Sequence, residues 1–276
     1  MKTVPAVSKY LFAAALALVV VSGCATQSPA HETPADKQAA AIRSLLPADA
    51  LLLGEQHDAA EHHELERAVV ARLANDGKLA VLALEMSEHG NSTAGLPVTA
   101  DESAVKARLR WDDKAWPWAA YGPAIMAAVR KDVPVVGANL PRERMRDAMA
   151  ETALDVQLSG PALKAQQQAV REGHCNLLPE SQITPMTRIQ IARDRMMART
   201  IALTVQPDRT VVLITGAAHA DKALGVPQHL PVELKVKSVK MQAGATAVGG
   251  RDPAVYDTVW QTAALPARDY CKDVKR

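Results

Sequence analysis

Residues 51–86, LLLGEQHDAAEHHELERAVVARLANDGKLAVLALEM, decide how this chain folds. The apolar run LLL stops at Gly54, and charged and imidazole side chains crowd in from Glu55 to His63. Leu65, Ala68, Val69 and Leu73 then recur at helical spacing, and Asn75-Asp76-Gly77 supplies a stop. Asp58 can cap this helix, with Glu61 three residues on completing a capping-box pattern. A second apolar run, 79–85, follows at once. Strand, helix and strand at this spacing require a crossover connection and predict a parallel pair.

Working outward, two more apolar runs read as strands, at 133–138 and 210–215, with 50–54 and 79–85 making four. Between the second and third lie Trp111, Trp116, Trp118 and the helical stretch YGPAIMAAVRKD. The connection before the fourth is mostly helical and is interrupted at EGHCNLLPES. Runs 232–241 and 256–262 alternate apolar and polar residues, as strands near a sheet edge do. The expectation is one α/β domain over 41–276. It has a mainly parallel central sheet flanked by helices and an enlarged helical segment, about 141–206, before the fourth parallel strand.

One echo bears on function: LLLGEQH and VLITGAAH both run strand, Gly, two residues, His. Ligands of parallel sheets bind outside the carboxyl ends of the strands. Each strand of the set ends there in a polar group: Glu55 and His57, then Glu85, then Asn139, then His219. Two carboxylates and two imidazoles could ligate a divalent metal such as zinc or iron, with His57, His219 and Glu85 as ligands. They could equally perform general acid–base catalysis. His62 and His63, in the first turns of the helix, are expected to be solvated. A later helix, with Pro185 at its first position, has the stripe Met186, Ile189, Met196/Met197 and Ile201. Arg193 falls on that stripe, and a charge facing inward needs a partner, for which Glu55 or Glu85 is available.

The amino-terminal residues read as an export signal. Lys2 and Lys9 precede an apolar run, 11–21, too short to span a bilayer, and the run ends in Val21-Ser22-Gly23-Cys24, which resembles a bacterial lipobox. The expectation is removal of 1–23, lipidation (a palmitate-type anchor) at Cys24, and a flexible polar tether over 24–40. Of 32 lysines and arginines only Lys2 and Lys9 would go, leaving 30 basic against 30 acidic residues. A balanced chain gives no sign of a nucleic-acid partner. Cys175 and Cys271 would then share an oxidising compartment, where a disulfide between them is expected, two buried free thiols being the alternative.

Taken together, LLLGEQHD…HH, LALEM, WAAYGPAI…VPVVGANLPR, GHCNLLP, QIARDRMMA and GAAHA resemble the ChaN-like haem-binding lipoproteins. Their broader superfamily includes Tiki-type proteases, TraB-like proteins and erythromycin esterases. The resemblance runs from about Leu45 to Cys271. It implies a lipid-anchored envelope protein of a Gram-negative bacterium, at the outer membrane or in the periplasm, concerned with haem or iron acquisition. The matching positions are Glu55, His57, Glu85, Tyr121, Asn139, His174, Arg193, Asp194 and His219. One departure is Asn176 in GHCN, where relatives are expected to carry glycine.

The cofactor implied is haem, with Tyr121 and His174 as candidate iron ligands and His57, Asn139 and His219 around it. Arg142, Arg144 and Arg146 could pair its propionates or simply form a solvated face. Aromatics are only 3% of the chain, so a homodimer sandwiching haem between two copies would supply missing apolar surface. The alternative function is a hydrolase of the esterase or peptidase type, in which the resemblance assigns Glu55, His57, Glu85, Arg193 and His219 to catalysis.

Overall fold

The computed structural model describes residues 1–3, 34–245 and 255–272. Cys24 and the expected signal segment fall outside these residues. The chain divides into a unit of residues 1–40 and a unit of residues 41–276. Helix α1, Pro34–Arg43, ends the first and opens the second. The last residues of the expected tether are therefore helical, as the alanines at 39–41 favour. Among the described residues no helix is long and apolar enough to cross a membrane.

Six strands form one sheet: β1 Ala50–Glu55, β2 Leu79–Glu88, β3 Val135–Asn139, β4 Thr210–Gly216, β5 Val236–Ala243 and β6 Thr258–Thr262. Their order is β3-β2-β4-β1-β5-β6, and every neighbouring pair is parallel. The expected α/β architecture is thus present, with one correction. β1 and β2 are parallel but not paired, because β4 lies between them. Its whole length is buried, and only an interior slot covers both faces of such a strand.

Side-chain alternation splits the core. Leu51, Leu53, Leu82, Leu84, Val212 and Ile214 share one cluster with α2 (Ala60–Asn75) and α4 (Trp118–Val129). Ala50, Leu52, Val81, Ala83, Val211 and Leu213 face Met197, Ala198 and Ile201 of a 25-residue helix. A smaller helix α3, Glu102–Leu109, precedes α4 and is capped by Asp101, which accepts a hydrogen bond from the Ala104 amide. The enlarged helical segment holds α5 (Met145–Ala150), α6 (Gly160–Gly173) and that long helix, α7 (Glu180–Thr204). It carries its own core of Leu140, Ala148, Leu154, Leu158, Ile189 and Ile191.

Two helix starts differ from expectation. The residue capping α2 is Ala59, with no side-chain cap, because the Asp58 carboxylate instead accepts a hydrogen bond from the Tyr270 hydroxyl (2.7 Å). Helix α7 begins at Glu180, five residues before Pro185. A proline there forgoes one intrahelical bond, to the carbonyl of Ser181, which is exposed and so open to water. The expected Cys175–Cys271 disulfide is present, with Cα atoms 5.6 Å apart, and joins the α6–α7 turn to the carboxy-terminal segment. In that turn Cys175 and Asn176 both adopt left-handed backbone, with φ of 58° and 55°. Asparagine tolerates that region better than most residues, which explains how it can stand where relatives are expected to carry glycine.

Candidate functional site

The two GxxH stretches meet because β1 and β4 are neighbours in register, Glu55 opposite Gly216. A methyl group on Gly54 would lie 2.9 Å from Ala217 Cα and from Ala220 Cβ. One on Gly216 would lie 3.0 Å from His57 Nε2. Each glycine therefore vacates the space that the other loop fills, which is the physical content of the sequence echo.

Glu55 is 2% exposed and ends β1. Its Oε1 accepts hydrogen bonds from the Tyr121 hydroxyl and from His57 Nδ1, both at 2.8 Å. Burial pushes its carboxyl up, but the hydrogen bond from His57 and the nearby His63 imidazole outweigh that and hold it at about 2. An ionised carboxylate only accepts, so His57 carries a proton on Nδ1 and turns Nε2 outward. The His57 ring sits edge-on to Trp116, with centroids 4.9 Å apart. Burial lowers the His57 pKa, yet the Glu55 and Glu85 carboxylates leave it raised overall.

Glu85, on β2, forms a second group. Its Oε2 accepts from the Thr215 hydroxyl and the Gly216 amide, both at 2.7 Å, and Oε1 lies 3.5 Å from His219 Nε2. His219 sits in the single 3-10 turn Ala217–Ala220 after β4, and its Nδ1 is 2.6 Å from Asp194 Oδ1 on α7. Burial opposes charge on His219, but Glu85 and Asp194 raise it to about 9. Burial raises Asp194 to about 6 despite its imidazole partner. Asn139 clamps the backbone: its amide donates to the Glu85 carbonyl and its oxygen accepts from the Leu140 amide, both at 2.8 Å.

Some of these groups line a cleft of about 800 Å³. Glu55, His57, Glu85 and His219 form its floor, Trp116, Pro117 and Val170 its apolar walls, and His174, Arg193, Arg268 and Tyr270 contribute polar groups. Of the expected strand-end residues, the structure brings Glu55, His57, Glu85 and His219 to one cleft and places several others differently. Arg193 reaches the cleft but forms no ion pair with Glu55 or Glu85, and its buried Nε has no hydrogen-bond partner. Glu85 is already engaged by Thr215, Gly216 and His219, and Oε1 of Glu55 by Tyr121 and His57. Tyr121 is 1% exposed, does not line the cleft and gives its hydroxyl to Glu55, so its oxygen is not presented to a ligand there. Asn139 likewise lies outside this cleft. Arg142, Arg144 and Arg146 are exposed and do not line this cleft, although Arg142 shares an adjoining depression with Glu85, Trp116 and Arg193. His174 is half-buried at the end of α6, and its Nδ1 donates to the Val170 carbonyl (2.8 Å).

The neighbours of His57 on α2 are the largest departure. His62 is fully buried: its Nδ1 accepts from the Gln56 amide and its Nε2 donates to the Thr262 hydroxyl, each at 3.0 Å. His63 turns towards Glu55, with Nε2 3.0 Å from Oε2. Glu66, 1% exposed, lies beside them and was not anticipated. The signal was present, since residues 62, 66, 69 and 73 follow helical spacing and put a histidine and a glutamate on the buried stripe.

A family model described as haem-binding uptake, Tiki superfamily, ChaN matches residues 41–230. The chain belongs to the ChaN family. Among solved structures, this ChaN-family chain is similar to ChaN of Campylobacter jejuni, described with cofacial haem binding. The two are 24% identical, with 80% of this chain and 90% of that one covered and a TM-score of 0.65, which supports the shared fold. More distant are the type III effector HopBA1 (16% identity, 84% and 94% covered, TM-score 0.47) and an erythromycin esterase, EreC, in its open conformation (16%, 71% and 70%, TM-score 0.43). No curated protein sequence matches significantly.

Proposed function

We propose that this ChaN-family protein binds haem in the strand-end cleft as a lipid-anchored component of haem or iron acquisition. The observation that carries the reading is the pair His57 and His174. Both line the cleft, and both have Nδ1 engaged, by the Glu55 carboxylate and the Val170 carbonyl. Histidines that ligate metals characteristically anchor the second ring nitrogen in this way, leaving Nε2 for the metal. Haem iron accepts histidine, and a cleft of about 800 Å³ is within the usual range for organic ligands. Trp116, Pro117 and Val170 offer apolar surface to a flat macrocycle, while Arg193 and Arg268 offer cations to its carboxylates. The chain's part is to hold and orient the ligand; bound haem itself supplies the iron.

The anchoring is proposed through Cys24 at the outer membrane of a Gram-negative envelope. A second copy is proposed to cover the haem face that this aromatic-poor cleft leaves open, as the cofacial arrangement described for the Campylobacter jejuni protein suggests. The test is a hemin titration of the chain beginning at Ala25, followed by the Soret band and by light scattering. Saturable binding, weakened at least about tenfold by His57→Ala or His174→Ala, supports the reading. A featureless, non-saturating response refutes it. Growth of mass to a dimer on binding supports the sandwich, and an unchanged monomer refutes that part alone.

One observation favours a second reading, hydrolysis: His57, its Nδ1 held by Glu55, feels the charges of an ionised Glu85 and a protonated His219. In an esterase and peptidase screen, Glu85→Ala or His219→Ala would abolish turnover while sparing haem binding if the two activities use separate residues.

A further inference from the structure

Behind the cleft floor, on the α2 side of Glu55, four buried side-chain atoms lack a hydrogen-bond partner: Glu55 Oε2, His63 Nε2 and both oxygens of Glu66. Buried polar atoms are nearly always satisfied, and a cluster of orphans calls for an absent ion or water. His63 Nε2 and Glu55 Oε2 are 3.0 Å apart but out of line for a hydrogen bond. One ligand atom from each of Glu55, His63 and Glu66 lies within 4.8 Å of the other two. Glu55 and Glu66 are 2% and 1% exposed, so no bulk water screens them.

We propose that Glu55, His63 and Glu66 bind one divalent first-row cation of the Zn²⁺ class. The donor set, one imidazole and two carboxylates, is of the kind that zinc accepts. Donors about 2.0–2.2 Å from one tetrahedral ion stand about 3.3–3.6 Å apart; Glu55 Oε2 and His63 Nε2, at 3.0 Å, are already close to that spacing, and the widest separation in the cluster would draw in by at most about 1.5 Å. Two carboxylates buried together repel each other, and a dication removes that penalty while giving Glu55, His63 and Glu66 a partner each. Glu66 and His63 come from the same helix at i and i+3, the spacing that places two side chains on one face. His63, its side chain 12% exposed, gives the ion its route in.

This site differs from the cleft and from any metal held there by His57, Glu85 and His219, and it stands whether or not haem enters the cleft. Its link to the cleft is Glu55, whose other oxygen holds His57. A cation on Oε2 therefore makes Glu55 a positioning residue fixed from both sides. The rival occupant is a proton on Glu66, whose pKa burial and the nearby Glu55 push strongly up.

The test uses the whole mature chain, stripped with chelator and then titrated with Zn²⁺ by calorimetry and with Co²⁺ by visible absorption. The expected result is one ion per chain and a melting temperature that rises with added metal. Glu66→Gln should weaken binding on the order of 100-fold or more, since even outer-shell partners of metal sites are worth about 10–100-fold. His219→Asn should leave metal affinity unchanged. If Glu66→Gln fails to fold, His63→Asn carries the same expectation. Absence of stoichiometric binding by the wild-type chain would assign the cluster to the proton and overturn the proposal. Binding that survives both Glu66→Gln and His63→Asn, or that His219→Asn abolishes, would place the ion elsewhere and overturn it too.

Discussion

Replacing Tyr121 with phenylalanine separates two roles for this residue. In the structure its hydroxyl donates a 2.8 Å hydrogen bond to Glu55 Oε1 inside a fully packed core. Burial and the Glu55 carboxylate push its phenol far above its ordinary range, so it stays a protonated donor rather than a phenolate ready for iron. A hydrogen bond to a charged group contributes about 1.5–3 kcal/mol. The loss should be no larger, because Oε1 keeps the bond from His57 and is not orphaned. For a folded unit of this size each kcal/mol moves the melting temperature by about 2–4 °C, so Tyr121→Phe should melt about 3–12 °C lower. Urea unfolding should show the same loss, and hemin titration should give affinity within a few-fold of wild type. Loss of the Soret shift with stability unchanged would refute the reasoning and make Tyr121 an iron ligand.

Stability should have both an acid and an alkaline limb in urea unfolding across pH. Glu55 is depressed from 4.5 to about 2, so its contribution is full above 4.5 and is lost as pH falls through 2. His219 is raised from 6.5 to about 9, so its contribution is full below 6.5 and is lost as pH rises through 9. His219→Asn should flatten the alkaline limb, and an unchanged limb would show that His219 is not its source. Gly54→Ala should cost about 1–3 kcal/mol, because its methyl group meets Ala217 Cα and Ala220 Cβ at 2.9 Å and the first of these is backbone. Wild-type stability in that variant would mean the two loops are not interlocked. Reducing the Cys175–Cys271 disulfide should free the segment around Arg268 and Tyr270 and expose it to limited proteolysis, read by mass spectrometry. Equal cleavage with and without reductant would show that the bridge does not hold the cleft edge.

Much of the candidate site's placement was legible because parallel strands bring their carboxyl ends, and the polar residues on them, to one edge of the sheet. Glu55, His57, Glu85 and His219 all reach the cleft on that argument. The glutamate on α2 was hidden by its surroundings: in AEHHELERAVV, Glu66 sits among other charged residues that do face water. Only its spacing to His62, Val69 and Leu73 distinguishes it, and spacing alone does not say whether a polar residue is buried or marks the edge of the stripe. The inward turn of Arg193 was readable from its stripe, but the expected pairing with Glu55 or Glu85 does not form, because groups distant in sequence compete for those carboxylates.

What the sequence by itself determined is local: apolar runs of strand length, a helical stripe between them, and two glycine-histidine stretches. Each of these follows from the period and size of neighbouring side chains. Only the tertiary structure decided that β4 inserts between β1 and β2. That insertion places Gly216 beside His57, gives Glu85 the Thr215 hydroxyl and Gly216 amide, and leaves Glu55 facing Tyr121 on one side and His63 and Glu66 on the other. A buried carboxylate takes its character from whichever donors packing brings within hydrogen-bonding reach, and packing is a property of the whole chain.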